Sequence, residues 1–142
     1  MNACQMVKQF GPLAGRIMLA LIFLIAGFGK IGNFSGTAGF MAGAGIPLAE
    51  IALVTTIIIE IGGGAMLVLG WKARWAALAL FLLLIPATLI FHNFWAAEAA
   101  QLQNQLNHFL KNVCILGGLL YVMAFGSGPL SLERGDCEAS RT

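Results

Sequence analysis

Four uninterrupted apolar stretches dominate this chain, and they decide which solvent it can fold in. They run from about Pro12 to Phe28, Leu48 to Leu69, Trp75 to Phe91 and Phe109 to Phe125. Each is about 17 to 22 residues long, and about 20 residues of α-helix cross a hydrocarbon core of about 30 Å. Strands are disfavoured, because the stretches are continuously apolar rather than alternating and are rich in Leu, Ala and Gly. Of 142 residues, 59% are hydrophobic and 10% charged. A soluble domain carries roughly 25% charged residues and needs them to cover its surface. The same imbalance excludes a disordered chain. A scattered net charge of +2 gives no nucleic-acid footprint. The expectation is one all-α domain in lipid: an integral membrane four-helix bundle, up-down-up-down, with spans over about 12–29, 48–69, 75–92 and 109–125 and a short polar tail over 126–142.

Orientation follows from where the cations fall. Lys8, Arg16, Lys72, Arg74, Arg134 and Arg141 flank one side, and only Lys30 and Lys111 the other. That bias predicts that both termini are cytoplasmic and that the 30–47 and 92–108 connections face outward. The first stretch has the charge pattern of a signal peptide, but no clear small-x-small cleavage site follows Phe28. It is read as a retained span.

Gly70-Trp71-Lys72-Ala73-Arg74 reads as a tight inner turn that makes the second and third spans antiparallel neighbours. The glycine-rich segment after Lys30 predicts a short interfacial helix capped by Ser35 or Thr37, with Pro47 leading into the second span. Between Ala96 and His108 the chain reads AAEAAQLQNQLNH, with Leu102, Leu106 and Phe109 at helical spacing. This predicts a surface helix or an extension of the fourth span. The tail after Gly126 is expected to be mobile.

Ionisable groups inside a bilayer are costly, so each needs a partner or a purpose. Glu60 lies near the middle of the second span, about 12 residues or 18 Å from Leu48. Thr56, Gly63 and Gly64 share its face, and Gly62-Gly63-Gly64 lets a neighbouring helix or a flat ligand approach closely. Arg16, one turn inside the first span, has the reach for Glu60. An Arg16–Glu60 structural ion pair is one reading of these residues, and a proton-accepting Glu60 carboxylate is the other.

A second polar group collects at the outer helix ends: Lys30, Glu50, His92, Asn93, His108, Lys111 and Asn112. Antiparallel helices bring these to similar depth, so they could converge on one mouth. His108, Lys111 and Asn112 share a helix face, and Pro86 would bend the third span beneath His92. Interfacial anchoring by snorkelling side chains is one reading. Binding of a polar head group, a quinone ring or an anionic substrate, is the other. Trp71, Trp75 and Trp95 fit an aromatic belt, with Trp95 also beside the mouth. Phe23, Phe28 and Tyr121 read as core packing or the lining of an apolar slot.

No metal, haem or flavin motif is present. His92 and His108, the only histidines, lack ligand spacing. Cys4, Cys114 and Cys137 form no C-x-x-C, and Cys114 is expected to pack as a small apolar residue.

The landmarks follow one order: Arg16, Gly27-Phe28-Gly29-Lys30, Gly45-Ile46-Pro47, Glu60 with its glycines, Leu69-Gly70, His92-Asn93-Phe94-Trp95, Lys111-Asn112, and Gly117-Gly118-Leu119-Leu120. This set resembles the DoxX family of small bacterial membrane proteins over about residues 13–132. The resemblance implies a four-helix protein of the bacterial inner (plasma) membrane. Relatives include thiosulfate:quinone oxidoreductase subunits, quinol-oxidase-like proteins and an associate of redox and oxidative-stress partners. The matching positions are Arg16, Lys30, Glu60, His92, Lys111 and Asn112. The paired thiols expected of some redox relatives are missing, which argues against a dithiol mechanism.

Three functions compete. The first is a redox-associated subunit of a quinone-linked oxidoreductase, with a quinone or quinol held by Lys30, His92, Asn93, Trp95, Lys111 and Asn112. Glu60 and His92 would then be its acids or bases, and a protein partner would carry the electrons. The second is a non-catalytic scaffold for membrane or redox proteins, whose glycine faces favour a protein partner or a homo-oligomer. The third is a small carrier or channel, which four helices would form only by oligomerising.

Overall fold

The computed structural model describes residues 2–133, and every regular element among them is helical. Helix α1 covers Ala3–Gly32, α2 Phe34–Gly43, α3 Ala49–Leu69, α4 Ala73–Phe91 and α5 Ala99–Phe125, with a single 3-10 turn over Phe94–Ala96. α1, α3, α4 and α5 are each long and apolar enough to cross a membrane. They alternate in direction, giving the up-down-up-down bundle.

α1 begins at Ala3 rather than near Pro12. Asn2 and Gln5 close a reciprocal capping box, Asn2 Oδ1 accepting from Gln5 N at 2.9 Å and Gln5 Oε1 accepting from Asn2 N at 3.0 Å. These two bonds satisfy first-turn donors. The helix then runs through Pro12, where only one backbone donor is lost. α2 is the expected interfacial helix, but it starts after Asn33 with no side-chain cap. Ser35 and Thr37 lie inside it, and the Thr37 hydroxyl donates back to Asn33 O at 2.8 Å. α5 absorbs most of the polar 96–108 segment as an extension of the fourth span.

Small residues set the helix spacing. A Cβ on Gly27 of α1 would stand 2.7 Å from Ile61 Cγ1 and 3.3 Å from Glu60 Cβ on α3. Gly64 is pressed against Leu24, Gly63 against Leu80 of α4, and Gly118 of α5 against Leu19. Lipid supplies no hydrophobic drive between helices, so close backbone approach and dispersion hold such an interface. The core is correspondingly fine-grained: Ala20, Phe23, Leu67, Ala73, Ala76, Ala77, Leu80, Leu119 and Val122. A smaller cluster of Ala38, Met41 and Leu53 seats α2 on α3. Large apolar side chains point outward along every span, Met18 at 73% and Ile25 at 69% exposure among them. That distribution suits a lipid-facing surface.

The α3–α4 connection is the tight turn foreseen. Gly70 ends α3 in the left-handed region at φ 65°, with Trp71 N donating to Met66 O at 3.0 Å. This closes the helix in the Schellman manner. A side chain on Gly70 would also overlap the Arg16 guanidinium and Ser131. The start of the tail packs here instead of moving freely: Leu132 N donates to Leu69 O at 3.0 Å and Glu133 N to Gly70 O at 3.2 Å. Arg134, Cys137 and Arg141 lie outside the described residues.

Three packing expectations change. Phe23 is in the core, but Phe28 and Tyr121 are 61% and 67% exposed, and Tyr121 stacks on Phe125 along the outer face. Cys114 is exposed rather than packed inside. Each projects from a helix face that is apolar on all sides, where sequence pattern does not mark which side faces the bundle.

Candidate functional site

Glu60 is buried on α3 and pairs with Lys30 of α1, Lys30 Nζ lying 2.8 Å from both Oε1 and Oε2. The cause is local. Gly27 brings the α1 backbone against Ile61 and Glu60, and Lys30 follows three residues later on the same helix face. Its four-carbon stem therefore reaches the carboxylate. Lys30 thus leaves the mouth it was expected to line.

The expected Arg16–Glu60 pair does not form. Arg16 sits beside Gly70, ten residues or about 15 Å along α3 from Glu60, beyond its side-chain reach. At 2% exposure it is almost fully buried, with Nε donating to Pro12 O at 3.4 Å, Nη2 donating to Leu130 O, and Nη1 without a hydrogen-bond partner among the described residues. Its guanidinium thereby ties the start of the tail to α1.

At the far end of the bundle, His92 ends α4 and packs on α5. Its ring stacks on His108, centroids 5.0 Å apart and 15° from parallel. His92 Nδ1 lies 3.2 Å from Gln105 Oε1, and Lys111 Nζ lies 3.1 Å from His108 Nδ1. Phe94, Trp95 and Phe109 form an edge-to-face trio beside this group, with centroids 5.1 to 6.1 Å apart. Edge-to-face geometry is the favoured one for aromatic rings. Asn93 enters through its backbone, its carbonyl accepting from Ala96 N at 2.9 Å.

Convergence on one mouth is therefore partial. His92, His108 and Lys111 meet, with Trp95 alongside. Asn112 turns inward, its Nδ2 donating to Thr88 Oγ1 at 3.0 Å while Thr88 Oγ1 donates to Leu84 O at 2.6 Å. Glu50 faces elsewhere, on a groove of about 460 Å³ between α2 and α3 lined by Ser35, Ala38, Gly39 and Ala42 among others. Gln105 and Thr88 were not among the residues the sequence pattern singled out. Each carried a signal: Gln105 precedes His108 by three residues on the same helix, and Thr88 precedes His92 by four.

This arrangement defines a class: a multi-pass membrane protein whose few buried polar groups pair across helices. The family model described as DoxX matches residues 11–93, and the chain belongs to the DoxX family. It is similar to the inner membrane protein YphA of Escherichia coli (strain K12), 32% identical over 122 residues, which cover 86% of this chain and 87% of that protein. It is also similar to the inner membrane protein YqjF of the same organism, 32% identical over 128 residues, covering 90% and 93%. A Surfeit locus protein 4 homolog of Schizosaccharomyces pombe is 31% identical over 130 residues, covering 89% of this chain but 37% of that protein. No solved structure matches the chain.

Proposed function

We propose that this protein is a redox-associated subunit of the inner membrane that binds the head group of a quinone or quinol at the His92–His108 end of the bundle. One observation carries this reading. Two imidazoles and an ammonium lie together beside the Phe94–Trp95–Phe109 trio. A quinone head asks for that combination, polar groups for its two oxygens and an aromatic surface for its ring. Quinone reduction consumes two protons as well as two electrons, and imidazole is a side chain suited to passing protons. The proposal assigns the electrons to a partner protein.

Glu60 fits a structural role better than a proton-transfer role, since Lys30 engages both of its oxygens. The competing scaffold reading draws on glycines at helix surfaces. Gly27, Gly63, Gly64 and Gly118 are spent on contacts within the chain, which weakens it.

The test is extraction and mass spectrometry of lipids that co-purify with the chain in mild detergent. A near-stoichiometric quinone, lost in His92→Ala and retained in Glu50→Gln, is the expected result. Absence of quinone, together with stable recovery of one protein partner regardless of His92, would favour the scaffold.

A further inference from the structure

We propose that the groove between α2 and α3 is a lipid site, and that it selects a phospholipid whose head group ends in a primary ammonium. The inference is independent of the His92–His108 cluster, with which the groove shares no residue.

The groove is open where the bundle's close contacts are filled. A Cβ on Gly27, Gly63, Gly64 or Gly118 would press on a side chain of a neighbouring helix, but a Cβ on Gly39, which lines the groove, meets nothing within 4 Å. With Ala38 and Ala42 it leaves a trough of about 460 Å³, a volume in the range of small-molecule sites. Leu48 and Ile51 also line it and stay 74% and 63% exposed. Exposed apolar side chains beside small residues give an acyl chain a surface to lie against.

The head group is chosen by charge and by donors. Glu50 lies in the first turn of α3, at the depth where a span meets the lipid head groups. The groove's polar residues are Glu50 and Ser35, and neither side chain makes a hydrogen bond or ion pair among the described residues. Both side chains accept hydrogen bonds, and a primary ammonium donates three. No Lys, Arg or His among the described residues lines the groove, so an anionic head group meets a carboxylate and no cation. Nor does an aromatic ring line it. A trimethylammonium has no N–H to donate, and the aromatic faces that hold one are missing from these walls. Ethanolamine-type head groups are therefore favoured over both glycerol and choline types.

The test titrates the full chain in mild detergent with dioleoylphosphatidylethanolamine and, separately, with the phosphatidylcholine and phosphatidylglycerol of the same acyl chains. Native mass spectrometry counts the bound lipid. The ethanolamine lipid should bind about three- to fivefold more tightly than either, as one exposed ion pair provides. Glu50→Gln should abolish that preference. Gly39→Leu fills the trough from a position where a side chain meets open space, and should weaken binding of the ethanolamine lipid. Gly15→Leu, equally open on α1, should not. A photoreactive acyl chain on the ethanolamine lipid should crosslink within residues 35–51. Equal affinity for the three head groups, or a preference that survives Glu50→Gln, overturns the selection. Crosslinks confined to other segments, or binding untouched by Gly39→Leu, overturn the site itself.

Discussion

Lys30 and Glu60 close α1 onto α3 through a two-pronged ion pair, 2.8 Å to each carboxylate oxygen, one turn beyond the Gly27 contact. The two features depend on each other. Without the glycine the helices stand too far apart for the lysine to reach, and without the ion pair two charged groups would be stranded in an apolar bundle. The carboxylate is the more enclosed partner, at 10% side-chain exposure against 25% for Lys30.

Breaking one half of this pair should harm the protein more than removing both. Glu60→Gln leaves a lysine charge without its counter-ion, and Lys30→Met leaves a carboxylate. Each should destabilise the bundle by about 3 kcal/mol, the lysine deletion more, since it exposes the more buried charge. The double variant Lys30→Met/Glu60→Gln should recover much of that loss. Thermal unfolding in detergent across the four proteins measures the coupling, and additive losses would show that the pair contributes no mutual stabilisation.

Glycines on α1 should differ sharply by position. Gly27→Ala drives a Cβ to 2.7 Å from Ile61 Cγ1, whereas a Cβ on Gly15 meets nothing within 4 Å. The first should cost about 1–3 kcal/mol by forcing the helices apart. The second should be neutral or slightly stabilising, because alanine is the better helix former. Equal effects at both positions would mean that α1 does not pack on α3 through Gly27.

The architecture was legible because a span announces itself by length and hydropathy, and connections such as Gly70–Arg74 are too short for any but antiparallel neighbours. Partner choice was less legible. Arg16 looked able to meet Glu60 only while its depth relative to α3 was unknown; the packing of Gly27 on Ile61 and Glu60 sets that depth and selects Lys30 instead. The Gly27–Lys30 spacing held the clue, since a close-contact glycine followed on the same face by a lysine points a cation at the opposing helix. The His92–His108 stack depended on how the 3-10 turn at Phe94–Ala96 folds the chain back, which residue types alone do not encode. The start of the tail, up to Glu133, misled through its polarity, because its docking uses backbone atoms and a buried arginine rather than an apolar face.

Arg16 should control that docking. In Arg16→Gln the bond from Nη2 to Leu130 O is lost, and with it a charge-assisted contact of about 1.5–3 kcal/mol. The amides of Leu132 and Glu133, which donate to Leu69 O and Gly70 O, should then exchange with deuterium at least about tenfold faster. Lys8→Gln, at the exposed start of α1, should leave them unchanged. Unaltered exchange in Arg16→Gln would show that the two backbone bonds hold the segment unaided.

The buried Asn112–Thr88 bond joins α5 to α4. Asn112→Leu removes the donor while Thr88 keeps its own bond to Leu84 O, so no buried donor is orphaned. Hydrogen bonds between membrane helices average about 0.6 kcal/mol and reach about 1.7 kcal/mol, so a loss of about 1 kcal/mol is expected in detergent unfolding. Asn112→Asp should cost more, placing a second carboxylate inside the bundle. If leucine proves as harmful as aspartate, packing volume rather than hydrogen bonding governs this site.

Charge distribution leads us to propose that the Gly70 turn and both chain ends are cytoplasmic. Lys8, Arg16, Lys72 and Arg74 gather at that end of the bundle, against Lys30 and Lys111 toward the other. Positive charge is retained on the cytoplasmic side. The experiment compares two single-cysteine proteins treated with a membrane-impermeant maleimide. One keeps only the native, exposed Cys4. The other carries Ala97→Cys between the 3-10 turn and α5, with the native cysteines replaced by serine. Ala97→Cys should label in intact cells with the outer envelope opened, and Cys4 only after the inner membrane is permeabilised. The reverse pattern would invert the topology and place the His92–His108 cluster on the cytoplasmic side.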